Sequence, residues 1–170
     1  MRRSPACLLT LLSTLLLASC GGGGGSSGLN VYMADAPIDS VLDVVITVTG
    51  IHVTGTNGTT DFTFPSPSPI DLFQNGQGGI SVFLLSGGLL DAGNYQSISL
   101  DIDAKQGTSD SYIILPTDTV ATPVHSLYIP TGDPTTISAP INFTMKKGGT
   151  MGITIDFDLR SSIVQDPTNP

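Results

Sequence analysis

The sequence predicts an all-β domain, an antiparallel β-sandwich of about eight to nine strands after an amino-terminal leader. Three observations predict it. All of the acidic residues are aspartate, which favours turns and strand ends, and none is glutamate, which favours helices. Short alternating apolar runs are divided by Gly, Pro, Asn and Asp. No long helical pattern follows the amino-terminal apolar run.

The amino terminus has the pattern of a secretory signal peptide. Arg2 and Arg3 precede a leucine-rich run over residues 6–18 that is apolar on every side. As a helix this run would span roughly 20 Å, short of the roughly 30 Å hydrocarbon core of a bilayer. Residues 1–19 are therefore predicted to be a cleaved signal rather than a transmembrane or core helix.

Cys20 lies at the end of that run, and Leu17–Cys20 resembles the lipobox of bacterial lipoproteins. The resemblance implies lipidation of the thiol and cleavage before Cys20; the alternative is an ordinary signal with a chance cysteine. Several acyl chains would give stable anchoring. Residues 20–28 would then be a Gly/Ser tether with a coil dimension of roughly 15–18 Å. Gly21 favours the outer membrane, and whether the domain faces the periplasm or the exterior stays open.

The mature chain is strongly acidic and has no cysteine pair. Removing the signal removes Cys7, so no intramolecular disulfide can form. Of six basic residues only four remain, against fourteen acidic ones, which gives a net charge of −10. Such a surface argues against nucleic acid or anionic headgroups as partners. Residues 29–170 are long enough for one domain with one core.

The first half of that domain contains a predicted hairpin followed by a proline-rich edge. Gly50 interrupts the longest alternating run and predicts a bulge. The Asn57-Gly58 pair predicts a hairpin turn. Proline at alternate positions in residues 65–69 predicts an exposed polyproline-like edge or crossover. Strands are expected over residues 29–33, 41–54, 61–64, 70–73 and 80–85.

The second half begins with a D-x-G-x-Y pattern, formed by Asp91, Gly93 and Tyr95. It resembles the tyrosine corner of immunoglobulin-like sandwiches, in which the phenol bonds back to the preceding corner. Ser97 stands where antibody domains have a cysteine. The predicted fold is therefore an immunoglobulin-like or transthyretin-like sandwich, with a structural role for these three residues. Further strands are expected over residues 96–103, 111–115, 126–129, 141–145 and 151–159.

Several motifs taken in order resemble one bacterial lipoprotein family, known as domain of unknown function 4382. They are the lipobox, an Ala34–Pro37 turn where members typically have T-D-A-P, the Val44–Val53 strand, Ala92–Tyr95, and Ile155–Leu159 followed by Ser162-Ile163. The resemblance covers nearly all of residues 29–165 and implies an exported β-sandwich without an assigned catalytic residue. Members often continue to a further strand, so the end of this sequence is either a polar tail or lacks a closing carboxyl-terminal strand.

Paired aspartates are the candidate metal ligands. Residues two apart on a strand share a face, so Asp101 with Asp103 and Asp156 with Asp158 would each present two carboxylates to solvent. Carboxylate oxygens suit Ca²⁺, and Asp35 and Asp39 beside a turn would complete a site. The alternative is that these strand faces are simply acidic, which improves solubility and discourages edge pairing.

No catalytic residue is predicted. His52 and His125 are the only histidines, and no motif organises a nucleophile or zinc. His52 is expected to be a half-buried partner in a strand and His125 a loop residue. A glycan-acting hydrolase would need a carboxyl group with a raised pKa in an apolar pocket. The absence of tryptophan also makes a sugar-stacking platform less favoured.

The sequence therefore predicts an envelope lipoprotein with a non-catalytic binding, adhesion or structural role. Its partners would be the bilayer, through acylated Cys20, and an unidentified envelope protein or glycan. A periplasmic carrier or assembly accessory lipoprotein is the first alternative, and the hydrolase is the second. Residues 35–39, 57–61 and 101–110 are the predicted contact loops.

Overall fold

The computed structural model describes residues 27–34, 41–72, 81–118 and 125–166. This part of the chain contains nine strands and one helical turn, α1 (Leu159–Ser162). The predicted signal and most of the tether lie outside it, although the first strand begins at Ser27, inside the predicted tether. The strands are β1 (Ser27–Ala34), β2 (Asp43–Gly55), β3 (Gly58–Asp71), β4 (Val82–Leu90), β5 (Gly93–Asp103), β6 (Tyr112–Ile114), β7 (His125–Ser126), β8 (Thr136–Met145) and β9 (Thr150–Asp156).

The strands form two sheets, which confirms the predicted β-sandwich. The small sheet has the order β4-β1-β9. In the large sheet β2 is central: β3 pairs along one side of it, and β5 and then β6 pair along the other. Outside these, β8 pairs with β5 and β7 with β6.

One pair in the small sheet departs from the predicted antiparallel arrangement. β1 runs antiparallel to β4 but parallel to β9, with Gly28 opposite Thr150 and Ala34 opposite Asp156. The physical reason is the connection before β9. The chain leaves β8 in the large sheet and crosses to the small sheet through residues 146–149, so β9 reaches β1 as a crossover strand rather than as a hairpin partner.

The hairpin of β2 and β3 has the irregularities that its sequence predicts. The register shifts at Gly50, which confirms the bulge, and Gly58 in the turn has φ 109°. Val48 lies opposite Ser68 while Gly50 lies opposite Thr63, so residues 64–67 bulge out of the ladder. Because proline has no N–H to donate, this segment is tolerated only on an edge strand, and β3 pairs with β2 alone.

A single apolar core lies between the sheets. Its most enclosed members come from both: Leu29, Val31 and Met33 of β1 face Ile51 and Val53 of β2, and all are fully buried. Each such side chain contributes roughly 1.5–3 kcal/mol by burial. Strand alternation therefore places polar β2 and β5 residues on the outer face of the large sheet.

The apolar core is covered to different extents at the two sides of the sandwich. Next to β3 and β4, the rings of Phe62 and Phe64 pack against the core, and Gly88 makes room for Phe62. Next to β8 and β9, inward-facing aliphatic side chains stay partly exposed, and Ile137 of β8 is 42% exposed. The core is thus open along the side formed by β8 and β9.

Within the described residues, no helix has the length and apolar character needed to cross a membrane.

Candidate functional site

Three strands of the large sheet bring one histidine between two carboxylates on the outer face. His52 of β2 lies between Asp61 of β3 and Asp101 of β5. Asp61 is directly opposite His52, and Asp101 is opposite Gly50, at the position of the bulge. The Nδ1 atom lies 2.7 Å from Asp61 Oδ1, and Nε2 lies 2.7 Å from Asp101 Oδ2. We call Asp61, His52 and Asp101 the histidine bridge.

A residue of β8 also holds Asp101. Thr136 of β8 donates its hydroxyl to Asp101 Oδ1 at 2.7 Å. This bond is the main reason that the pKa of Asp101 is lowered, and the hydrogen bond and charge of His52 lower it further. The bridge and Thr136 therefore connect four neighbouring strands, β3, β2, β5 and β8.

The hydroxyl groups beside the bridge also pair across strands. Thr54 bonds to Thr59 at 2.9 Å and Ser99 to Ser138 at 2.8 Å, and Thr144 donates to Asn94 at 2.7 Å. We call this outer surface, with the bridge, the polar face. Each of these hydroxyl groups makes one bond within the protein and keeps further hydrogen-bonding capacity toward solvent.

The bridge favours the protonated form of His52. A neutral imidazole has one N–H, whereas both ring nitrogens here lie at donor distance from a carboxylate, so both bonds require the imidazolium form. The hydrogen bonds to Asp61 and then Asp101 raise the pKa of His52 above its usual value, against the lowering effect of burial. With both nitrogens occupied, His52 has no free lone pair with which to act as a general base.

We expect the bridge to make stability depend on pH. A folded pKa raised above the unfolded value of 6.5 gives stability that is full below pH 6.5 and is lost as pH rises through the folded pKa. The side chain is 31% exposed, so the contribution is less than about 1 kcal/mol. Thermal unfolding of His52→Gln between pH 6 and pH 9 should show a smaller decline in Tm than the parent shows.

The matched control for this measurement is His125→Gln. His125 is 49% exposed at the side chain and contacts one carboxylate, Asp118, at 3.0 Å. The His125→Gln variant should show the same decline in Tm between pH 6 and pH 9 as the parent protein. A decline that is equally steep in His52→Gln and in the parent would show that the bridge does not couple folding to pH.

A second acidic pair lies on the same sheet, at the start of β2. Burial, together with the hydrogen bond and the charge of Asp71 on β3, raises the pKa of Asp43 to about 6. The Oδ1 atom of Asp43 is enclosed and has no hydrogen-bond partner in the described part of the chain. Sequence reasoning missed this pair, because the residues are far apart in sequence and neither belongs to a motif.

The structure gives separate partners to the first predicted calcium-binding pair. Asp101 belongs to the histidine bridge, whereas Asp103 pairs with Lys105, whose Nζ lies 2.7 Å from Asp103 Oδ1. Both carboxylates are on the outer face, as strand alternation predicts, and each has a basic side chain as a partner within the protein.

The second predicted pair lies at the end of β9 in the small sheet, with Asp156 as its last residue and Asp158 just beyond it. Asp156 is exposed at the end of the strand, and Asp158 caps α1 by accepting bonds from the Ser161 backbone N–H and hydroxyl. The hydrogen bonds of Ser161 lower the pKa of Asp158. Asp35 and Asp39 fall outside the described residues. Among the residues that are described, no group of three or more His, Cys or Asp side chains is placed to hold a metal ion.

The Asp91, Gly93 and Tyr95 pattern forms a corner before β5. The Tyr95 hydroxyl donates to the backbone oxygen of Asp91 at 2.9 Å, which is the backward bond of a tyrosine corner. The ring is buried and stacks on Phe143 with centroids 5.1 Å apart. This residue supports the packing of β5 against β8, which positions Asp101 and Thr136.

Two of the predicted contact loops meet at the histidine bridge, since Asp61 ends the range 57–61 and Asp101 begins the range 101–110. Their other ends lie apart: the turn at Asn57 is beside Gly93 at the start of β5, whereas residues 104–110 follow the far end of that strand, about 33 Å away. The third predicted loop, residues 35–39, is outside the described residues.

Fold and site together define a class: an all-β sandwich domain whose polar face has side chains that hydrogen-bond to one another across strands. The family can then be stated. The chain belongs to the family described as Domain of unknown function (DUF4382), whose model matches residues 26–170. Comparison with curated proteins and with solved structures gave no match.

Proposed function

We propose that this chain is an envelope lipoprotein, anchored through acylated Cys20, whose β-sandwich acts by binding or by structure and not by catalysis. The observation that carries the non-catalytic part is the histidine bridge. His52 is the histidine best placed among carboxylates, and both of its nitrogens are engaged at 2.7 Å. The anchoring part is supported by Leu17–Cys20 at the end of the apolar run and by the glycines that follow.

The geometry gives less support to the two alternatives. A glycan-acting hydrolase needs a carboxyl group of raised pKa that touches substrate. Asp43 has a raised pKa, but its Oδ1 atom is enclosed and its carboxyl group is engaged with Asp71. A periplasmic carrier or assembly accessory lipoprotein is the alternative within the same anchored class. Calcium binding by the aspartates stays a prediction that belongs to the binding role.

The anchor is tested by changing each cysteine in turn. Cys20→Ser removes the thiol that would carry lipid, whereas Cys7→Ser changes only the signal peptide. In a Gram-negative bacterial host, we expect the parent protein and Cys7→Ser in the membrane fraction, and at least a tenfold loss of Cys20→Ser from it. Equal membrane association of Cys20→Ser and the parent would contradict the proposal.

A further inference from the structure

The open side of the sandwich has an apolar groove beside the outer edge of β9. Its floor is formed by inward-facing side chains of β5 and β8, and its wall by β9 and the residues after it. The groove has a volume of about 280 Å³, and its apolar lining consists of Ile98, Leu100, Ile137, Ala139, Ile155 and Phe157. We call this groove, with the free edge of β9, the seam.

The backbone of β9 can pair on the seam side. The Gly28 N–H donates to Gly149 O and the Phe157 N–H to Ala34 O, and the parallel register between them is unbroken. The odd-numbered residues of β9 therefore direct their backbone groups to β1. Thr150, Gly152, Thr154 and Asp156 direct theirs to the opposite edge, which pairs with no strand in the described part of the chain.

The width of the seam favours a single strand. In the large sheet β8 lies one strand beyond β5, while β9 is the last strand of the small sheet among the described residues, so no described strand covers the end of β8 at Ile137. Ile98 and Leu100 beneath the groove are already buried, at 1% and 3% exposure, whereas Ile137 at its margin is 42% exposed. A strand beside β9 would cover Ile137.

The negative charge at the seam favours an added strand that carries positively charged side chains. Asp156 and Asp158 both line the groove, and none of its lining residues is cationic. Asp158 also caps α1 and interacts with the charge of Arg160, so Asp156 contributes more of the negative charge offered to a partner. A second copy of this chain would bring the same carboxylates to the seam, whereas a basic, extended segment would be attracted to it.

We propose that the seam binds an extended segment of a partner protein that adds a strand to β9, with alternating aliphatic side chains facing the groove and a Lys or Arg beside Asp156. Backbone hydrogen bonds supply pairing, and the apolar floor supplies side-chain selectivity. This inference rests on the proposed binding role but not on the lipid anchor, so each can fail without the other.

The test uses the full chain in detergent and a fluorescein-labelled, end-capped synthetic peptide. The peptide alternates Val with Thr over about ten residues and has Lys at both ends. Fluorescence anisotropy should give a Kd of about 10 μM. The same peptide with Glu at both ends should bind at least tenfold more weakly, because of Asp156 and Asp158.

Gly152→Pro tests the edge directly, since it removes an N–H that faces the seam and leaves the pairing with β1 intact. Gly152→Ala is the matched control: an added Cβ meets only Tyr32 Cε2 at 3.7 Å, an ordinary contact. We expect Gly152→Pro to weaken binding at least tenfold with its Tm within about 2 °C of the control, and Gly152→Ala to bind like the parent. Equal binding by both variants would overturn the proposal, as would no binding of the Lys peptide at 1 mM. Dimerisation through β9 that Gly152→Pro abolishes would overturn it in favour of a second copy.

Discussion

Gly55→Ala is expected to destabilise the domain by about 3 kcal/mol or more. A Cβ at this position would lie 2.3 Å from the backbone oxygen of Asn94 and 2.9 Å from Tyr95 Cδ1. The Asn94 oxygen cannot shift by itself, because it also accepts a hydrogen bond from the Thr56 N–H at the end of β2. Relief requires β2 and β5 to separate, which strains the tyrosine corner as well. Urea unfolding followed by far-UV circular dichroism measures the loss.

Two other glycines provide a graded control for this measurement. At Gly28 the nearest atom to an added Cβ is 3.8 Å away, so Gly28→Ala should be neutral or slightly stabilising. At Gly88 the close atoms are the ends of the Leu85 and Phe62 side chains, at 2.7 and 2.9 Å, which can shift. We expect an intermediate loss there. A Gly55→Ala protein as stable as Gly28→Ala would mean that β2 and β5 do not approach as described.

Ile51→Ala is expected to cost about 3–4 kcal/mol. Ile51 is fully buried in β2 between the sheets, so truncation removes apolar contacts and leaves a cavity that the two sheets cannot close. The same truncation at the open side should cost much less. Ile137→Ala removes a side chain that is 42% exposed, and its loss should be below about 1 kcal/mol.

The difference between these isoleucines tests the asymmetry of the sandwich. Both belong to strands of the large sheet, and the chemical change is the same in both variants. Chemical unfolding of the two variants in parallel gives the comparison. Equal losses would show that the side next to β8 is as closed as the centre, and the seam would then have no room for a further strand.

Local features of the fold were predictable from the sequence because short segments determine them. Gly50 interrupts an alternating run, and a bulge occurs there. The alternate prolines after Phe64 exclude a central strand, and β3 is an edge. Tyr95 follows Asp91 at corner spacing, and its hydroxyl bonds back to that residue.

Features that depend on the order of strands were not predictable in the same way. The parallel pairing of β1 with β9 depends on a chain crossing between sheets, which no turn motif encodes. The histidine bridge depends on β2 lying between β3 and β5 and on the register shift at Gly50. A pattern search could recognise His52 as a strand residue, but not the two carboxylates that flank it from other strands. The Asp43 and Asp71 pair was missed for the same reason.

Intact-mass spectrometry of the protein extracted from its native membranes tests the central claim most directly. The account predicts a mature chain that begins at Cys20 and carries acyl groups on that residue. An uncleaved chain, or one with an unmodified thiol at Cys20, would contradict it.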